Sequence, residues 1–181
     1  MKEQESTSRH GSRPEPWLRG TLGELAAVPR AVLHALELAA EDLHKWCEAL
    51  TAEQLNARPG GLASVAFHLR HIAGSIDRLL SYAEGRRLST EQLVFLKNEL
   101  DGAVTTAETF RLLDQTLTLA ATRIRALATQ NLEEPRTVGQ RELPTTLGGL
   151  LVHIADHTQR HVGQAITTAR IVAGSSGSKC R

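Results

Sequence analysis

Aromatic residues are scarce in this chain, only 3% of 181 positions, which removes the stacking platforms a single-strand nucleic-acid binder relies on. Charge of one sign is missing too. Lysine and arginine number 21 against 20 aspartates and glutamates, leaving a net charge of +1, so no long-range field draws the protein to nucleic acid or to an anionic membrane. The two cysteines, Cys47 and Cys180, make no disulfide framework; unpaired thiols suit a reducing cytosol. No segment approaches the ~18 consecutive apolar residues of a membrane span, and Met1 to Arg13 is polar and charged, with no apolar run to serve as a signal peptide. Together these absences lead us to expect a soluble, cytoplasmic protein with no nucleic-acid or membrane partner.

What is present is helical pattern. At 41% hydrophobic content over 181 residues, the chain is large enough to bury one full core. Val32, Leu33, Leu36, Leu43, Trp46 and Leu50 recur at helical spacing and predict a first long helix over 29–50, with Pro29 in its first turn. Thr51 and Gln54 form a capping box that predicts a short helical turn, broken by Arg58-Pro59-Gly60-Gly61. Ser64 or Gly61 opens a second long helix carrying Val65, Phe67, Leu69, Ile72, Ile76 and Leu80 and ending near Gly85. A second capping box, Ser89 with Gln92, starts a short extra helix. Thr105 or Thr106 then opens a third long helix through Phe110, Leu113, Leu117, Ile124 and Leu127.

From Thr129 to Pro144 no helical period is visible, and this is long for a bundle connection, where ~2–8 residues is usual. Thr145 or Thr146 caps the last long helix, expected to run to about Val172 and to end at Gly174. The reading is an all-α four-helix bundle over 17–173, with a short extra helix and a long loop before the last helix. Flexible tails are expected over 1–16 and 174–181. Trp17 is expected to pack against the bundle and close its core.

Histidine is where chemistry concentrates. Eight occur, and five of them, His68, His71, His153, His157 and His161, fall in two short apolar-periodic segments. His153, His157 and His161 stand at strict four-residue intervals, so on a helix they form one stripe, and neighbours on it can chelate one ion without backbone strain. Neutral imidazole suits zinc, nickel, copper or iron, whereas magnesium and calcium want carboxylates. His157 and His161 supply two ligands from one helix. The third must come from another, and His71, mid-helix beside the apolar stripe, is the best candidate; His68 or His153 could add a fourth ligand or an outer partner. His34 and His44, on the first helix, read as solvated or rim residues without partners.

Other metal signatures fit less well. A His-Glu-x-x-His zinc-protease motif is absent, since His153-Ile-Ala-Asp-His157 places its acid wrongly. A carboxylate di-iron site needs a Glu-x-x-His on each of two helices, and Glu41-Asp-Leu-His44 is the sole match. No catalytic base is marked: Asp156 points about 100° around the helix from His157, and Asp77 lies nearly two turns beyond His71. Gln164, three residues after His161, could hold a ligand histidine or substrate.

Ser64-Val-Ala-Phe-His-Leu-Arg-His71-Ile-Ala and His157-Thr-Gln-Arg-His161-Val-Gly-Gln164, with the order and length of the helices between them, resemble the DinB-like superfamily of bacterial four-helix bundles, also called the DinB/YfiT group. The likeness covers roughly residues 20–173. It implies a divalent metal, zinc or nickel, on His71, His157 and His161, a long crossover after the second helix, and a homodimer. Relatives of that kind include low-molecular-weight-thiol-dependent transferases, an isomerase and metal-dependent hydrolases. The implied function is a metal-dependent S-transferase or hydrolase in which a three-histidine metal activates a small thiol or water for attack on an electrophilic small molecule. The alternative is a non-catalytic metal-binding or interaction module. This chain departs from the commoner pattern at Arg160 and Val162, beside the ligand positions rather than at them.

Overall fold

A computed structural model describes residues 13–100 and 104–176, with no account of the side chains at 175 and 176. The tails expected over 1–12 and 177–181, with Cys180, lie outside the described residues. Six helices and one hairpin follow in chain order: α1 (Ala27–Cys47), α2 (Ala52–Asn56), α3 (Val65–Ala83), α4 (Thr90–Lys97), α5 (Thr106–Leu127), β1 (Pro135–Val138), β2 (Leu143–Thr146) and α6 (Leu147–Ser176).

The helix starts are set by the hydroxyl caps visible in the sequence. Thr51, Ser89 and Thr105 each close a full capping box, with Gln54, Gln92 and Glu108 respectively. Ser64 accepts from the backbone N–H of Phe67 at 3.1 Å and opens α3. Between caps, the apolar stripes of the four long helices meet in one core, in which Leu43, Leu69, Ile72, Ile76, Leu113, Ile124, Leu151 and Ile154 are fully buried. Each such side chain contributes about 2 kcal/mol of transfer free energy.

The long helices close a ring in which α1 packs on α6, α6 on α3, α3 on α5 and α5 on α1. Their directions follow from paired contacts. His68 meets His161 and His71 meets His157, so α3 and α6 run antiparallel. Gln159 bonds the carbonyl of Ala35 and Arg170 lies over Trp46, so α6 runs parallel to α1. Arg125 reaches Glu24 while Asp114 reaches His44, so α5 is antiparallel to α1. Adjacent α3 and α5 are therefore parallel, and parallel neighbours cannot be joined by a tight turn. The chain solves this with a crossover after α3, in which α4 runs back along α3: Gln92 bonds Asp77 at 2.6 Å, and further along Arg70 bonds the Asn98 carbonyl at 2.8 Å.

Several expectations are corrected. The stretch 129–144 is not irregular throughout. It forms most of the β1–β2 antiparallel hairpin, in register from Pro135 opposite Thr146 to Val138 opposite Leu143, turning through Gly139 and Glu142 at positive φ. Four-residue strands carrying Pro135 and Pro144 give too short an alternation to read as strand. The connection also caps α6, whose first N–H groups, from Leu147 and Gly148, donate to the carbonyls of Glu134 and Leu132 at 3.0 and 2.8 Å. A Cβ at Gly148 would stand 3.1 Å from that Leu132 oxygen, which is why a glycine serves there.

α1 spans 27–47 rather than 29–50, and α6 continues past Gly174 to Ser176. Trp17 does not close the core. It is 62% exposed, and the anchor of the entry segment is instead Arg19, whose guanidinium grips Glu37 and Glu41 of α1 at 2.7 Å each.

Candidate metal centre

The middle turns of α3 and α6 face one another, and the histidines of the two segments meet there. His71, His157 and His161 each bring one ring nitrogen within 4.8 Å of the other two. The Nε2 atoms of His71 and His157 are 3.4 Å apart, close to the roughly 3.3 Å separating two ligands of a tetrahedral metal with bonds of 2.0–2.1 Å. Phe67, one turn before His71, stacks on the His71 ring with centroids 5.3 Å apart and planes at 21°.

The remaining histidines separate. His68 is buried, and its Nδ1 lies 3.0 Å from Nδ1 of His161, so it engages a neighbour's ring rather than the three-nitrogen group. His153 is exposed, its ring centroid 5.5 Å from that of His157. His34 and His44 are not free rim residues. His34 is 6% exposed with Nε2 3.0 Å from the Thr21 hydroxyl, and His44 sits between Asp114 at 2.9 Å and Glu48 at 3.1 Å. Asp156 is a solvent-facing charge paired with Arg160 at 2.6 Å, and Asp77 belongs to an ion pair with Arg123.

One participant is not evident in the sequence. Glu99, 4% exposed, places Oε2 2.6 Å from Nδ1 of His71, while its Oε1 accepts from Arg78 at 2.6 Å. Nothing about residue 99 announces this, because it lies beyond the short helix α4 and reaches His71 only when the crossover doubles back. The available hint was Gly74. A glycine inside a helix marks a close approach, and a Cβ there would come within 2.5 Å of Glu99, 2.6 Å of Phe95 and 2.7 Å of Arg78.

The proton arrangement bears on what the group can hold. His71 donates Nδ1–H to Glu99, which leaves its Nε2 as a lone pair facing His157. His157 has no good tautomer by itself. With its proton on Nε2, the buried Nδ1 has no donor; with its proton on Nδ1, that N–H has no acceptor and two lone pairs confront one another, for Nδ1 of His157 is buried with no hydrogen-bond partner. An additional proton does not relieve this. Burial first, then the neighbouring imidazoles, push His157 and His68 down to about 4, and burial followed by His71 also lowers His161. At neutral pH His157, His68 and His161 are uncharged, and the ring nitrogens of His71, His157 and His161 make an all-imidazole donor set that fits a borderline divalent metal ion.

Beside His68 and His161 opens a cavity of about 660 Å³, walled by Phe67 and Leu62 and edged by Arg160, Gln164 and Thr167. Another, of about 590 Å³, lies between Tyr82, Arg86 and the hairpin, beyond the far end of α3 from His71, and contains none of the histidines. Cys47, the one described cysteine, is buried at the C-terminal end of α1, its thiol pushed up to about 12 by burial, and takes no part.

Fold and site together define a class: helical bundles that gather three histidines, suited to a divalent metal, between two antiparallel helices. Comparison with known sequences makes this specific. The profile of the DinB superfamily matches residues 35–165, a span containing all three histidines, and the chain belongs to that family. Among solved structures it is similar to YfiT from Bacillus subtilis, described as "a probable metal-dependent hydrolase with an unusual four-helix bundle topology". The TM-score is 0.60 and the identity 18%, over 80% of this chain and 87% of that one, so the likeness is one of fold. No curated protein matches the chain. No helix among the described residues is long and apolar enough to cross a membrane.

Proposed function

We propose that this protein is a metal-dependent hydrolase or thiol S-transferase acting on a small electrophilic substrate, with zinc or nickel held by His71, His157 and His161. The observation that carries this reading is the convergence, among the described residues, of three imidazoles, His71, His157 and His161, the last of which lines a 660 Å³ cavity. A storage or structural site would be closed by a fourth ligand. Both candidates for that place are otherwise disposed: His68 engages Nδ1 of His161 and His153 faces solvent. A divalent metal bound by three histidines supplies Lewis acidity that activates water or a thiol.

The chain's own residues do the rest. Glu99 and His68 occupy the Nδ1 atoms of His71 and His161, leaving Nε2 of each as the free nitrogen. Phe67 and Leu62 provide an apolar wall that limits water beside the histidines, and Arg160, Gln164 and Thr167 offer polar contacts at the rim for orienting a substrate. YfiT, with the same fold, is described as a probable metal-dependent hydrolase, which supports the hydrolytic branch.

Elemental analysis of protein purified without a histidine tag tests the reading, with His157→Ala and His161→Ala in parallel. Near one zinc or nickel ion per chain is expected, lost in each variant, followed by turnover in a screen of electrophiles with and without thiol co-substrates. Metal-free protein that cannot be loaded would overturn it.

A further inference from the structure

The Glu99 carboxylate is more buried than an ion pair with Arg78 alone requires. It lies at 4% exposure, shared between two partners by its two oxygens, with Oε1 on the Arg78 guanidinium and Oε2 on Nδ1 of His71, each at 2.6 Å. The chain has made room for it. Gly74, one turn from both Arg78 and Arg70 on α3, is the only residue type whose side chain would not collide with Glu99 and Phe95 of the returning crossover. The segment is also fixed just before Glu99, where Arg70 donates to the Asn98 carbonyl at 2.8 Å. Crossover, glycine, arginine and glutamate thus converge on one ring nitrogen.

We propose that Glu99 is a positioning residue of the histidine centre: it holds His71 in the Nδ1–H tautomer with Nε2 turned toward His157 and His161, and Arg78 fixes the carboxylate that does so. The inference rests on the metal-binding reading above for its consequence, but the tautomer itself does not depend on a metal. Carboxylates that accept from the distal N–H of a ligand histidine orient the ring and raise its basicity, and their loss commonly weakens metal binding about 10–100-fold. The centre is then asymmetric. His71 is braced by a charged group, His161 by a neutral imidazole, and His157 by nothing, its Nδ1 having no partner. It follows that the crossover helix, which adds no fully buried residue to the core, has a task at the site.

Two readouts test this on the intact chain, zinc(II) affinity by chelator competition and the tautomer of His71 by nitrogen-15 NMR of the metal-free protein. The variants are Glu99→Gln, which keeps an acceptor oxygen, and Glu99→Leu with Arg78→Met, which removes the pair without stranding a buried charge. Zinc affinity about 10–100-fold weaker in the double variant, a smaller loss in Glu99→Gln, and a mixed His71 tautomer in the double variant are expected. Wild-type affinity and an unchanged tautomer, accompanied only by lower thermal stability, would overturn the proposal and leave Glu99–Arg78 as a structural ion pair. If the double variant does not fold, Glu99→Gln decides, a severalfold weaker affinity being expected and an unchanged one overturning it. If the wild type takes up no zinc, the metal reading fails separately, and the role of Glu99 is judged from the metal-free spectra: a retained Nδ1–H tautomer that the variant releases upholds it, and an identical one overturns it.

Discussion

His44 and His157 are the same residue type set at two seams of one bundle, and their surroundings drive them in opposite directions. At the α1–α5 seam, burial disfavours a proton on His44, but Asp114 and Glu48, one at each ring nitrogen, outweigh it and raise its pKa. At the α3–α6 seam, burial and then His161, His71 and His153 push His157 down to about 4, with no carboxylate on either of its nitrogens. The first arrangement welcomes a proton and uses both lone-pair positions; the second keeps a lone pair free where two others converge. What decides whether a histidine is a cation or a candidate ligand is therefore the neighbour on its second nitrogen. His71 shows the intermediate case, with a carboxylate on one nitrogen only.

The largest test of this contrast is metal protection. With zinc at about a hundredfold above its dissociation constant, a ligand selective for the folded state adds about 2.7 kcal/mol, a Tm increase on the order of 5–10 °C for a chain of this size. That shift is expected in the wild type and in His44→Gln and absent in His157→Gln. Loss of protection in His44→Gln would erase the distinction between the seams.

Acid titration of the metal-free protein sharpens it. Because the folded pKa values of His157 and His68 lie near 4, below the ordinary 6.5, the unfolded chain binds protons first on acidification. Stability is then fully present above 6.5 and is lost as the pH falls toward 4. Between pH 6.5 and 5, before most carboxylates titrate, urea midpoints should decline by an amount equivalent to about 1 kcal/mol, discounted for the partial exposure of His157. In His157→Gln the slope should be shallower. A midpoint flat across that window in the wild type would contradict the buried, uncharged cluster.

The helical frame was legible because its signals are local. Thr51 and Ser89 announce their helices by hydroxyl caps with Gln three residues on, Thr105 or Thr106 marks a third start, and the four-residue histidine interval places His157 and His161 on one face whatever the tertiary structure. His71 was legible as the ring most favourably placed on a second helix. What escaped depends on contacts between segments distant in sequence. Glu99 meets His71 across 28 positions, and His44 meets Asp114 across 70, and neither interval carries a periodicity. The hairpin escaped for another reason, being two four-residue strands with a proline in each. Trp17 differs from expectation because size and apolarity do not make an anchor: a charged side chain, Arg19, ties down the entry segment through Glu37 and Glu41 while the Trp17 ring stays exposed.

The smallest effect is the one whose sign is opposite. His44 has a folded pKa above 6.5, so its ion pairs with Asp114 and Glu48 contribute stability fully present below the unfolded value and lost as the pH rises through the folded one. The ring is one-third exposed and its partners more so, and solvent screening holds the contribution to about 0.5 kcal/mol. His44→Gln should therefore destabilise the protein more at pH 5.5 than at pH 8.5, the reverse of what acidification does to the wild-type cluster. Urea midpoints of wild type and variant at the two pH values measure the difference directly. Equal losses at both would mean that His44 acts through packing on Phe110, whose ring centroid lies 4.7 Å away, and that its carboxylates do not select the charged form. The neighbour on the second nitrogen would then decide a histidine's role at the α3–α6 seam alone.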